Sequence, residues 1–234
     1  MKLSVISSVL NSQEVLRRQL LYWRAMNLDD DIEFIIMDDG SEPPLVDPVG
    51  LRNLRIVQTH DTRPWTWAIA RNAAAKISEA PRYLMADIDF IIPKEAIEYS
   101  RDSAADRVQF IREFGILTEN GVLTQNLDIL VYKYGLSLPR VRVRGLKIPP
   151  HNNTFAISAE KFWALGGYLE NRIGRPYPQG EDTEFRKRVG RAVVAGAVTL
   201  DTHRPKIYMF PNGKFCGDLD YNPMGLFHTL SRKV

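Results

Sequence analysis

Two carboxylates one residue apart, Asp87 and Asp89, stand where a short apolar run, Tyr83-Leu84-Met85, breaks off. Apolar residues resume directly after them, and Pro93 suits the first position of a helix. A buried strand that stops at acidic residues sets them at its carboxyl end, where open α/β sheets bind ligands. Paired carboxylates there make a hard oxygen site for Mg²⁺ or Mn²⁺, ions that in such places usually carry substrate phosphate. The plainer alternative makes one aspartate a turn cap and leaves the other solvated. A second acidic strand end is Asp38-Asp39-Gly40-Ser41, directly after the apolar run Glu33–Met37. A third acidic pair, Glu181-Asp182, follows a loop containing Gly174, Pro176, Pro178 and Gly180 and opens a helix. Carboxylates are favoured at that place by the exposed N–H groups and the helix dipole, and capping alone would explain them.

The elements that must position these acids alternate. Leu3 to Leu10 reads as a strand, and Asn11 with Glu14 three residues on has the spacing of a capping box that begins a helix. Val15, Leu16, Leu20 and Trp23 fall near one face of that helix, with Arg17, Arg18 and Arg24 around the rest. Glu33 to Met37 is a second strand, Leu54 to Gln58 a third, Trp67 to Ile77 an alanine-rich helix, and Tyr83 to Ala86 a fourth strand. Strands alternating with helices over this stretch predict a parallel sheet with right-handed crossovers.

Beyond Asp89 the rhythm changes. Val108 to Leu117 and Val122 to Thr124 flank Glu119-Asn120-Gly121, a hairpin-turn signal. Residues 137 to 150 read as irregular, Phe155 to Ser158 as a strand, and Ala159 to Leu165 as a short helix stopped by Gly166-Gly167. The helix opened by Glu181-Asp182 is predicted through Val189, a strand from Val193 to Leu200, and a loop-rich tail from Arg204 onward. Arg140, Arg142 and Arg144 alternate with valines; they protect an edge strand or, on a sharper reading, face an anionic acceptor. No linker divides the chain, so one domain over residues 1–234 is expected, with two functional lobes, 1–100 and 101–234.

Composition bounds the partners. With 234 residues, 44% apolar and 25% charged, the chain has enough material for a substantial core. A net charge of +3 is too small to argue for nucleic acid. Cys216, the single cysteine, excludes an internal disulfide, and no apolar run reaches the roughly 20 residues of a membrane span. The expectation is a soluble, cytoplasmic, unexported protein without a membrane span.

In order and spacing, four blocks resemble family 2 inverting glycosyltransferases of the GT-A fold. They are the first strand through Asn11; Phe34 to Ser41; Ala70-Arg71-Asn72-Ala73 followed by Asp87-Ile88-Asp89; and Phe155 through Arg188, with Gly166-Gly167-Tyr168 and Gly180-Glu181-Asp182. The second half is similar to chondroitin-polymerase modules and β-1,4-galactosyltransferases. Where a glycine often precedes the Ala-Arg-Asn helix, this chain has Pro64-Trp65-Thr66-Trp67.

The resemblance implies an α/β, Rossmann-like architecture: a mostly parallel central sheet, helices on both faces, and a smaller mixed acceptor-side sheet. It implies metal-dependent transfer of a sugar from a nucleotide-sugar, with a UDP-sugar expected, to a carbohydrate or other hydroxyl acceptor by a single displacement, residues 1–100 forming the nucleotide-binding lobe and 101–234 the acceptor-side lobe and tail. Asp38 and Asp39 would then lie at the nucleotide base, with Asp39 on the uracil N–H, and Ser8 and Asn11 at the nucleoside. Arg71 would contact phosphate or stabilise an acid, and Asp87 would serve ribose or the cation. Asp89 would ligate Mn²⁺ or Mg²⁺, with His203 as third ligand and His228 as its rival. Asp182, beside Glu181, would be the catalytic base. Trp65 and Tyr177 are the aromatic candidates for the acceptor, and Trp163 reads as core. A sugar nucleotidyltransferase is the enzyme alternative, but no glycine precedes Gly40 to form its phosphate loop. A non-catalytic nucleotide-sugar- or carbohydrate-binding module is the other alternative.

Overall fold

A computed structural model describes residues 1–61, 63, 66–133, 147–148, 153–170 and 181–210. Its centre is a six-stranded sheet. Strands β1 (Leu3–Val9), β2 (Ile32–Asp38), β3 (Leu54–Gln58) and β4 (Arg82–Met85) run parallel, in the order β3-β2-β1-β4. β5 (Phe90–Ile91) leaves this sheet, and β6 (Arg107–Gln109) returns to its far edge. Three short strands follow, β7 (Ile111–Phe114), β8 (Ile116–Leu117) and β9 (Leu123–Thr124), then β10 (Lys147–Ile148). β11 (Phe155–Ser158) inserts antiparallel between β4 and β6, and β12 (Lys206–Met209) completes a second, mixed sheet ordered β10-β7-β12-β5. The central sheet therefore takes strands from both sides of residue 100, so the two lobes share one framework.

Alternation along the strands divides the core between two faces. Leu3, Val5 and Val9 of β1 with Phe34 and Ile36 of β2 face helices α1 (Gln13–Ala25) and α3 (Lys94–Asp102). Ile6, Ile35, Met37, Tyr83 and Met85 face α2 (Trp67–Ile77), α4 (Ala159–Ala164) and α5 (Glu181–Val194). α2 lies close because it presents Ala68, Ala70, Ala74 and Ala75, all buried, to the sheet. The α/β expectation, with helices on both faces and a smaller mixed sheet, is borne out. Among the described residues no helix is long and apolar enough to cross a membrane.

Several local expectations are corrected. α1 begins at Gln13 with Ser12 before it, and there is no side-chain cap bond; Asn11 is instead left-handed (φ 48°). Glu14, freed from any capping role, receives Arg17 Nε at 2.6 Å and Arg18 Nε at 2.8 Å, and Arg18 is buried rather than solvated. The apolar stretch from Val108 to Leu117 is three strands in three sheets; only β8 forms the predicted hairpin, with β9. The strand predicted from Val193 to Leu200 is largely helix and its stop. α5 runs to Val194 and ends where Gly196 takes φ 70°, its N–H donating to the Val193 carbonyl at 3.0 Å. Only Leu200 keeps a bridge, to Arg107. The tail read as loop from Arg204 contains β12. Trp163, read as core, is 36% exposed and donates its indole N–H to the Tyr83 hydroxyl at 3.3 Å.

Candidate active site

The parallel strands end along one edge, and the acids collect there. The Asp39 N–H donates to the Val9 carbonyl at 2.8 Å, which extends the β1–β2 ladder one step and fixes the backbone beneath both aspartates. Asp38 turns into its own loop: Oδ1 accepts the Ser41 N–H at 2.8 Å and Oδ2 the Leu45 N–H at 2.9 Å. Both of its oxygens serve the loop, so Asp38 is an anchor for residues 41–45. Asn11 works with it, since its N–H donates to Ser41 Oγ at 2.8 Å and its Oδ1 accepts the Glu42 N–H at 2.8 Å. Ser8, half-buried and level with Met37, sits one residue before the end of β1. Asp39 differs from Asp38, because its Oδ1 accepts the hydroxyls of Thr66 at 2.5 Å and Thr59 at 3.4 Å.

Asp87 and Asp89 follow β4 on the same edge. Ser7, on β1, donates its hydroxyl to the Ala86 carbonyl at 2.9 Å, and the Ala86 N–H returns to the Ile6 carbonyl at 3.0 Å. Arg71, 2% exposed, forms an ion pair with Asp87 through Nη2, while its guanidinium lies 5.0 Å from the centre of the Trp67 ring. Burial works against the Arg71 charge, but the Asp87 carboxylate beside it outweighs burial and raises its pKa. Asp89 has no such cation at hydrogen-bond distance among the described residues. Burial, and then the neighbouring Asp87 charge, push its carboxyl up to about 7. Gln19, fully buried on α1, holds the turn that carries it, donating Nε2 to the carbonyls of Ile88 at 3.2 Å and Phe90 at 3.0 Å.

The second half reaches this edge through the Gly166-Gly167-Tyr168 turn. Asn72 Nδ2 donates to the Tyr168 carbonyl at 2.9 Å and to Glu170 Oε1 at 2.8 Å; its Oδ1 accepts the Tyr168 N–H at 3.0 Å. Gly167 has φ 57°, and a Cβ there would stand 2.9 Å from Asn72 Oδ1, so both conformation and space require glycine. From the other side Arg188 of α5 donates Nη2 to the Gly167 carbonyl at 2.7 Å and Nη1 to that of Leu165. One turn nearer the start of α5, Phe185 stacks on Phe155 (centroids 5.5 Å apart), whose Cα partner across the sheet is Met85 at the end of β4. This packing sets Phe185, one turn into α5, against the end of β4; Asp182 is the second residue of the same helix. The side chain of Glu181 lies outside the described residues.

His203 does not join the site. Its ring packs 4.6 Å from that of Tyr99, and its N–H donates to Asp201 Oδ1 at 2.9 Å; Asp201 Oδ2 in turn accepts the hydroxyls of Tyr99 and Ser103. Arg82, which opens β4, donates to the carbonyls of Ser100 and Ala105, so this cluster sits at the amino end of the strand. From there to Asp87 is on the order of 15 Å at the rise of an extended chain. The structure thus does not bring His203 to Asp87 and Asp89, the acids it was expected to join at a metal. In the sequence, its spacing from Asp182 favours it over His228. Trp65, Tyr177, Arg140, Arg142, Arg144 and His228 lie outside the described residues.

The acids meet half of what a divalent cation needs. Asp87 and Asp89 supply hard oxygens on one turn, and the upward push on the Asp89 carboxyl is the strain that a cation would relieve. Among the described residues no group of three or more His, Cys, Asp or Glu is placed to hold a metal ion. The pair would therefore need a further ligand, such as diphosphate oxygen. Sequence reasoning missed Gln19, Thr59 and Thr66, and gave Asn72 no role. Gln19 had one signal: an amide at helical spacing from Val15 and Leu16 on a face that is otherwise apolar.

No protein-family model matches the sequence, and no curated protein matches it. Solved structures do match in fold. TarS 1–349 of S. aureus in complex with UDP-GlcNAc matches over 100% of this chain and 66% of its own (TM-score 0.58, 16% identity). TarS 1–349 in complex with UDP matches over 100% and 64% (TM-score 0.55, 17% identity). The S. aureus TarS structure matches over 90% and 37% (TM-score 0.55, 18% identity). The chain thus spans less than two thirds of the length of each of these. At such identities the likeness is one of fold, and the fold is GT-A-like: a mostly parallel, six-stranded sheet with helices around it and smaller sheets beside it.

Proposed function

We propose that this chain is an inverting glycosyltransferase of the family 2 kind, moving a hexosyl group from a UDP-sugar to a carbohydrate or other hydroxyl acceptor. The observation that carries this reading is the convergence of Asp39, Asp87 and Asp89 on one carboxyl edge, with α5 packed against the end of β4 through Phe185 and Phe155. TarS, which shares the fold, is named in complexes with UDP and with UDP-GlcNAc, and this supports a uridine nucleotide at that edge.

On this reading Asp39 accepts the uracil N–H, and Ser8 lies beside the nucleoside. Asn11 and Asp38 shape the loop that borders it. Arg71 fixes Asp87, and Gln19 fixes the turn of Asp89. Asp87 and Asp89 would hold Mn²⁺ or Mg²⁺, which when bound neutralises charge on the departing diphosphate. Phe210 donates its N–H to the Asp89 carbonyl at 3.4 Å, so the chain leaves the described residues beside that acid. His228, further along, replaces His203 as the proposed third ligand. Asp182 takes the proton of the acceptor hydroxyl as its oxygen forms the bond to the anomeric carbon. The bond from that carbon to the diphosphate breaks on the opposite face, and its electron pair leaves with UDP.

Calorimetry of UDP with Mn²⁺, with chelator, and on Asp89→Ala tests this. Affinity should fall in the second and third measurements, because the diphosphate would otherwise meet Asp87 without a neutralising cation. Equal affinity in all three would remove the metal from the proposal; no UDP binding in any of them would remove the donor site.

A further inference from the structure

Thr66 immediately precedes α2, the place where a threonine hydroxyl ordinarily accepts a helix N–H. Here it makes no cap bond, and its φ −95° and ψ 2° lie outside the extended region usual for a capping residue. The hydroxyl, 1% exposed, donates instead to Asp39 Oδ1 at 2.5 Å. Thr59 adds a longer contact to the same oxygen at 3.4 Å, and its own N–H donates to the Asp38 carbonyl at 3.0 Å. A carboxylate that receives hydroxyl donors on one oxygen is fixed in rotation about its Cα–Cβ and Cβ–Cγ bonds. It is also fixed in kind, since it meets those hydroxyls as an acceptor.

We propose that Thr66 is a positioning residue that sets nucleobase selectivity through Asp39. It holds that carboxylate as an acceptor, for a nucleoside diphosphate whose base presents an N–H. This rests on the reading of the edge as the donor-nucleotide site. Uracil and cytosine differ where the device acts: uracil N3 carries a hydrogen that a carboxylate accepts, whereas cytosine N3 is a lone pair that meets the carboxylate with repulsion. Without the Thr66 hydroxyl, Asp39 loses the shortest of its described hydrogen bonds, and the penalty on cytosine relaxes with the preference for uracil. The missing cap of α2 accompanies this arrangement: the hydroxyl that donates to Asp39 accepts no N–H of the helix start.

The test compares UDP and CDP affinities by calorimetry, each with Mn²⁺, on the intact protein, Thr66→Val and Thr66→Ser. Valine keeps the shape and removes the donor; serine keeps the donor. The native protein should prefer UDP. Thr66→Val should lose about tenfold of that preference, the worth of one charge-assisted hydrogen bond, and Thr66→Ser should restore it. The ratio of the two affinities is the readout, since a general loosening of the fold would weaken both nucleotides alike. A native protein that binds UDP over CDP while Thr66→Val keeps the same ratio overturns the role of Thr66 alone. A native protein that binds neither nucleotide overturns the donor-site reading and this inference with it.

Discussion

Asn72 grips the backbone of Tyr168 from one side chain, giving Nδ2 to its carbonyl at 2.9 Å and taking its N–H on Oδ1 at 3.0 Å. The amide thereby imitates a neighbouring strand. It joins the first half of the chain, through α2, to the turn that orients α5. Arg71, one residue earlier, points to Asp87, so two adjacent side chains of one helix bind the two halves of the candidate site.

Replacing Asn72 by leucine keeps the volume and leaves the Tyr168 N–H and carbonyl unpaired in a buried place. Each orphaned group costs about 1–3 kcal/mol. Urea unfolding of Asn72→Leu should show a loss of a few kcal/mol with an unchanged m-value. A loss under about 0.5 kcal/mol, the usual size for surface substitutions, would mean that the turn does not depend on Asn72.

Gln19→Leu probes the support of Asp89 rather than the fold as a whole. Among the described residues Gln19 Oε1 is buried without a hydrogen-bond partner, so leucine relieves that orphan while it takes a donor from the Ile88 and Phe90 carbonyls. Stability should therefore change less than in Asn72→Leu. Mn²⁺-dependent UDP affinity should fall by roughly 10–100-fold, the range for groups that orient a metal ligand. An unchanged affinity would show that the turn keeps Asp89 in place by itself.

The strands that carry the acids were legible because a buried parallel strand is an uninterrupted apolar run, and the polarity change at Met37-Asp38 or Ala86-Asp87 marks its end in the sequence. What holds those acids was not legible. Asn11 reads as a helix start, and nothing local marks Thr66 or Gln19; each bonds to a segment distant in the chain. The same cause misplaced His203, since the order of residues does not say which end of a sheet a loop returns to. Val193 to Leu200 was ambiguous for a local reason: a few apolar residues fit a helix end as well as a short strand, and Gly196 decided for the helix.

Acid should loosen the attachment of α1. Hydrogen bonds from Arg17, then from Arg18, outweigh burial and hold the Glu14 carboxyl down at about 2, below its ordinary 4.5. A folded-state pKa below the unfolded one contributes stability that is fully present above the unfolded value and lost as pH falls through the folded value. Between about pH 5 and about pH 2, unfolding free energy should therefore drop more steeply in the native protein than in Glu14→Gln. Parallel curves for the two proteins would refute the coupling. The β8–β9 hairpin should loosen with it, because Arg17 also donates to the Glu119 carbonyl at 2.9 Å and Arg18 to that of Leu117 at 3.2 Å.

Asp182→Asn separates catalysis from binding. Asp182 is the second residue of α5, and asparagine is close to aspartate in shape, so the helix start should survive with little change in stability. The docking of α5 rests on Phe185 against Phe155 and on Arg188 against the 165–167 turn, and neither contact involves Asp182. Asp39, Asp87 and Asp89 belong to other elements, so UDP affinity should also hold. What disappears is the group that receives the acceptor's proton, and removing a positioned base costs about 10²–10⁴-fold in rate. The measurement is turnover of a UDP-sugar on an accepted hydroxyl compound, with UDP affinity taken in parallel. Near-native turnover would reduce Asp182 to a residue of the helix start. A joint fall of turnover and UDP affinity would move it into the donor site, and the base would then have to be sought elsewhere along the same edge.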